Sequence, residues 1–121
     1  MPDAVTDSAP AELSAEDAKL VTLARAARAR VGAAEGAAVR DGDGRTYAGS
    51  SVRLPTHTLT ALQFAVASAV NGGADVIEAA AIVTDAPEFD ELGRSAVRDV
   101  TAAAPIHVAS PRGELVATYA D

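Results

Sequence analysis

The sequence predicts an α/β domain in which a five-stranded mixed sheet carries helices on both faces. Three stretches predict it. Thr58 to Gly73 repeats apolar residues at three- and four-residue spacings and ends in Asn71-Gly72-Gly73, as a buried helix closed by glycine should. Val76 to Thr84 is a near-continuous apolar run of strand length, the pattern of a strand covered on both faces. Two Gly-bearing turns, Asp41-Gly42-Asp43-Gly44 and Ser110-Pro111-Arg112-Gly113, each join short strand-like runs.

With 121 residues the chain forms one domain, large enough for a core and small enough to gain from oligomerisation. Hydrophobic residues make up 49% but aromatic residues only 3%, so the core is built from Ala, Val, Leu and Ile and its layers can approach closely. A net charge of -7 works against a nucleic acid or an anionic membrane surface as partner. No apolar run has membrane-spanning length, and the N-terminus is acidic, so a cytoplasmic location is expected. Without cysteine there is neither a disulfide framework nor a thiolate metal site.

In chain order, residues 1–13 are small, acidic and without apolar period, and read as a disordered leader; residues 14–121 form the domain. Ser14 stands as an N-cap, with Glu16 and Asp17 in the first turn where the helix dipole favours negative charge. Leu20, Leu23, Ala24, Ala27 and Val31 then share one face of a helix that Gly32 closes. Gly36 to Val52 reads as a hairpin around the Asp/Gly turn. A calcium loop is the alternative, but the later ligand positions and the closing Glu of an EF-hand are missing. After the central helix and the apolar strand, Glu88, Asp90 and Glu91 open a helix that ends before Pro105. Ile106 to Ala109 is a strand, and the tight turn after it returns Glu114 to Thr118 as an antiparallel neighbour. The order is α-β-β-α-β-α-β-β.

This order and several local stretches resemble the small homotetrameric cytidine deaminases over about Ala18 to Thr118. The hairpin with its Asp43-Gly44-Arg45 turn and Tyr47-Ala48-Gly49 is similar to the family's first two strands. The central helix, with Ala65, Ala69 and Gly72 in register, is similar to the helix that opens with Cys-Ala-Glu, and Pro105 to Glu114 resembles the late strand and Gly-Glu turn. The resemblance implies a three-layer fold, a homotetramer or at least a dimer, and a zinc site. The tight return between the last strands favours the cytidine type over the tRNA adenosine and DNA-acting types.

The same register removes the chemistry. Zinc deaminases hold the metal with a His or Cys and a Pro-Cys-x-x-Cys pair, and a glutamate two residues after the first ligand moves protons. Thr60 stands at the first ligand, Leu62 at the glutamate, and Leu92 and Ser95 at the paired cysteines; Gly93 alone is retained. The Asn-Val-Glu that would hold ribose reads Ser51-Val52-Arg53, after which the loop from Val52 to Thr58 reads short. Ser51, Arg53, Thr60, Leu62, Leu92 and Ser95 thus outline a vestigial pocket, which the two leucines are expected to pack shut.

His57 at the mouth of the central helix, with Asp90 and Glu91 at the mouth of the next, would be the members of a rearranged metal site. The helix dipole already accounts for the two acids. His107, inside a short strand, reads as structural. Arg53 and Arg94 read as solvated before they read as anion ligands, and no nucleophile motif or Gly-rich phosphate loop occurs. The expectation is a zinc-free protein without a cofactor that serves as an oligomeric scaffold or regulatory subunit. The alternatives are a binding module for a nucleoside, nucleobase or similar small polar ligand, and a hydrolase with an altered metal site.

Overall fold

The computed structural model describes residues 5–6 and 13–121. Its elements are β1 (Val5–Thr6), α1 (Ala15–Val31), β2 (Gly36–Asp41), β3 (Thr46–Ser50), β4 (Val52–Leu54), β5 (His57–Leu59), α2 (Ala61–Asn71), β6 (Ile77–Val83), α3 (Glu91–Val100), β7 (Ile106–Ala109) and β8 (Leu115–Tyr119).

The main sheet runs β1-β8-β7-β6-β2-β3. Its five strands from β8 to β3 are those the sequence predicts. β6 and β7 are parallel, as a crossover through α3 requires, and every other neighbouring pair in this sheet is antiparallel. Most of the leader expected over residues 1–13 lies outside the described residues. Within it Val5–Thr6 adds a short edge strand to β8, at a place where the residues carry no strand signal.

Alternation along β2 and β6 divides the core between two faces. Ala38, Ala79, Ala81 and Val83 meet Leu20, Val21 and Ala24 of α1. Ala37, Val39 and Ala80 meet Leu62, Ala65, Val66 and Ala69 of α2 and Val97 of α3. The result is three layers. Leu20, Leu62, Ile77, Ile82 and Ile106 are the largest apolar side chains fully enclosed, each stabilising by about 1.5–3 kcal/mol as an upper bound.

The caps follow the sequence with one shift. Ser14 Oγ accepts the Asp17 N–H at 3.0 Å, and Gly32 closes α1 in the left-handed region at φ 64. The central helix begins at Ala61 rather than Thr58, because His57–Leu59 pairs back on Val52–Leu54 as a small separate hairpin. The stretch read as a short loop is therefore β4 and β5, and the predicted strand to Val52 ends at Ser50. At the other end of α2 the left-handed residue is Gly73, at φ 95.

The Asp/Gly turn is held by its own first residue. Asp41 is buried; its Oδ1 accepts the N–H groups of Asp43 and Arg45, each at 2.9 Å. Its Oδ2 accepts from Arg45 Nε at 3.0 Å and from the Tyr47 hydroxyl at 2.9 Å. Those bonds account for the run of Asp and Gly without a cation.

Candidate functional site

The N-termini of α2 and α3 approach one another on the same side of the sheet, and there the residues of the expected pocket can be followed one by one. Thr60 caps α2 reciprocally. Its Oγ1 accepts the Gln63 N–H at 3.1 Å, and Gln63 Oε1 accepts the Thr60 N–H at 3.0 Å. The hydroxyl expected at the first ligand position is thus committed to the backbone. Leu62, which the sequence aligns with the proton-shuttling glutamate, is 0% exposed and belongs to the core.

α3 can come this close because residue 93 is glycine. A Cβ there would lie 2.6 Å from Leu62 Cβ and 2.3 Å from Asp90 Oδ2. Asp90 caps α3: its Oδ1 accepts the Gly93 N–H at 2.8 Å, while Oδ2 is buried with no hydrogen-bond partner among the described residues. Phe89 stacks on Tyr119 with ring centroids 4.0 Å apart and fixes the chain just before the cap. The Arg94 guanidinium sits 5.8 and 5.5 Å from the two rings.

The remaining positions do not converge. Leu92 is 63% exposed, which corrects the expectation that both leucines pack inward: Leu62 is enclosed and Leu92 is not. Ser95 is exposed, Ser51 is half-buried in the gap between β3 and β4, and Arg53 is exposed on β4. His57 is exposed on β5, and Glu91 is exposed and 3.8 Å from Arg94. Among the described residues no group of three or more His, Asp or Glu side chains could hold a metal ion, so His57, Asp90 and Glu91 do not assemble the rearranged centre. The donor set also fails the zinc test by type, since a capping hydroxyl, an enclosed leucine, an exposed leucine and an exposed serine offer no ligand.

Two polar clusters were not visible as clusters in the sequence. Beside the α3 cap, the Thr84 hydroxyl donates to Glu35 Oε2 at 2.9 Å. Burial pushes the Glu35 carboxyl above its ordinary value; the Thr84 bond opposes this, and the charges of Asp90 and Asp85 add to it. On the opposite face, His107 is 5% exposed and bridges α1 to the sheet. Its Nε2 lies 2.8 Å from Asp17 Oδ2 and its Nδ1 2.9 Å from Thr118 Oγ1. Arg40 joins Asp17 at 2.9 Å and Glu78 at 2.9 Å. Burial alone would raise the Asp17 pKa, but the hydrogen bonds and charges of His107 and Arg40 hold it below the ordinary value. Both ring nitrogens of His107 are thus engaged, one on α1 and one on β8. His107 is structural, as its place in a strand implied.

A cytidine deaminase from Burkholderia pseudomallei superposes with a TM-score of 0.74 at 19% identity, over 88% of this chain and 93% of that one. One from Mycobacterium leprae gives 0.61 at 20% identity, over 81% and 91%. A point mutant of the cytidine deaminase from Mycobacterium tuberculosis gives 0.62 at 21% identity, over 80% and 85%. No curated protein sequence matches the chain. At these identities the structures establish the fold alone, while a sequence model described as "Cytidine deaminase-like" matches residues 13–113. The absence of cysteine and of any metal-holding cluster among the described residues argues against an active zinc-dependent deaminase site. The chain belongs to the cytidine deaminase-like family, as a degenerate member without the zinc ligands.

Proposed function

We propose that this protein is a catalytically inactive deaminase relative that acts as an oligomeric scaffold or regulatory subunit. The observation that carries the inactive part is Leu62: the side chain at the proton-shuttling position is wholly enclosed in the core. A residue in that place cannot meet a substrate, and a leucine cannot move a proton.

Support for the oligomeric part comes from the outer surface of α2 and α3. Between them lies a groove of about 530 Å³ lined by Val66, Ala67, Val70, Ala96 and Val100 with the amides of Gln63 and Asn71, and Asp99 is the one ionisable group on it. Val70 is 52% exposed although it continues the apolar face of its helix. Small side chains and few charges suit close packing of two such faces in a protein whose net charge of -7 opposes self-association elsewhere.

Sedimentation velocity over a range of concentrations tests this directly. The protein is expected to sediment as a dimer or tetramer, and Val70→Lys is expected to shift it to monomer with its unfolding free energy changed by no more than about 0.5 kcal/mol. A monomer at every concentration would remove the oligomeric reading and leave the inactive pocket unaffected.

A further inference from the structure

On the α1 face, at the end of the sheet where β6 and β7 finish, two loops flank Val83, the last residue of β6. One is the turn after β7 and the other the loop before β2. Arg25 and Arg28, three residues apart on α1, reach toward different loops. Arg25 Nε donates to the Pro111 carbonyl at 3.1 Å, and Arg28 Nε donates to the Ala34 carbonyl at 3.1 Å. Room for Arg25 comes from Gly113, where a Cβ would lie 3.0 Å from its Cδ. The two arginines, Thr22, Val83 and Pro111 line a groove of about 330 Å³.

Each guanidinium is fixed in plane by its Nε bond, and its outer N–H groups remain as donors. Neither makes an ion pair among the described residues, although the chain has 17 acidic against 10 basic residues. Arg40, Arg45 and Arg94, by contrast, are each paired with carboxylates. The carboxylates at this end of the sheet gather elsewhere: Glu35 is tied to Thr84 and feels Asp85 and Asp90.

We infer that this groove is an oxyanion site for the phosphoryl group of a phosphate monoester. One carboxylate is satisfied by a single guanidinium fork. Two anchored cations flanking one groove match a dianion with three acceptor oxygens, and the exposed methyl groups of Ala26 and Ala29, beside the enclosed Val83, suit the organic part of the ester. The site lies across the sheet from Leu62 and Asp90, and does not depend on the reading of the former pocket.

The test is calorimetric titration of the full chain with phenyl phosphate, inorganic phosphate and phenylacetate, against sodium chloride of matched ionic strength. Saturable binding is expected, with phenyl phosphate tighter than inorganic phosphate and phenylacetate weakest. Arg25→Gln and Arg28→Gln should each weaken phenyl phosphate by about tenfold, the double variant should abolish saturation, and Arg53→Gln should change nothing. Arg25→Lys and Arg28→Lys, which keep the charge and lose the fork, should weaken binding without moving the melting temperature; they carry the test if a Gln variant fails to fold. Inorganic phosphate binding as tightly as the ester would overturn the monoester assignment. The site itself is overturned by absence of saturation beyond the chloride control, by undiminished binding in the folded double variant, or by loss in Arg53→Gln.

Discussion

Between Leu62 and Gly93 the two helices of the former site touch, and the contact leaves no room for even one added carbon. Gly93→Ala puts a methyl group 2.6 Å from Leu62 Cβ and 2.3 Å from the buried Asp90 oxygen, so α3 must move or the cap must open. Overpacking of this kind costs about 1–3 kcal/mol. Urea denaturation at pH 7 should show that loss as a lower midpoint with an unchanged slope. An unchanged midpoint would mean that the helices are not in contact there.

The buried and half-buried carboxyls give opposite pH dependences. Asp17 and Asp41 sit below the ordinary value of 3.8; burial acts against this, while His107 and Arg40 in one case, and Arg45, Tyr47 and Asp43 in the other, outweigh it. Their contribution is present above the unfolded value and is lost as pH falls through the folded one. Glu35 sits above its ordinary 4.5, mainly through burial, so its contribution is present below 4.5 and lost as pH rises through the folded value. Glu35→Gln, whose carbonyl can still accept from Thr84, should therefore be more stable than the parent at pH 7 and lose that advantage below pH 4.5. Asp17→Asn should flatten the acid side of the curve. Denaturation series from pH 3 to pH 8 read both, and an advantage of Glu35→Gln that grew toward low pH would contradict the assignment.

Among the elements, α2 depends most on its cap. The reciprocal Thr60–Gln63 bonds serve two backbone N–H groups, and Thr60→Ala should cost about 0.5–2 kcal/mol. Thermal unfolding checks this; no change would imply that the Thr60 hydroxyl is free for another role. The helix was legible in the sequence and its first turn was not. Thr58 and Leu59 continue the helical period of the residues after them, yet Pro55 and Thr56 turn the chain so that His57–Leu59 pairs with Val52–Leu54. Short strands outside the main sheet leave little apolar pattern to detect. The apolar run in β6 and the two Gly-bearing turns, by contrast, carry strong local patterns, and the structure has the strand and the two hairpin returns they predict.

The site divides in the same way. Leu62 was legible because its helix fixes the register from Ala65 and Ala69 through one continuous period. Leu92 was misplaced because the rotation of α3 is set by the Asp90 cap and by Phe89 against Tyr119, a residue of the last strand. The His107–Asp17 bond joins residues 90 apart in sequence, and nothing local to either announces it.

For the molecule as a whole, the three-layer core is that of the cytidine deaminase-like fold, and the residues expected at its site are engaged in holding the chain together. Thr60 serves a cap, Leu62 fills the core, Asp90 caps the next helix, and Gly93 lets that helix approach. The fold has kept the architecture around a site whose chemistry its side chains no longer supply. The most direct test is to measure bound zinc by elemental analysis in protein purified without chelator, together with cytidine turnover on the same sample. Zinc far below one per chain and no uridine are the expected result. Near-stoichiometric zinc with uridine formed would contradict the account, because neither Thr60 nor Leu62 could then be placed as described.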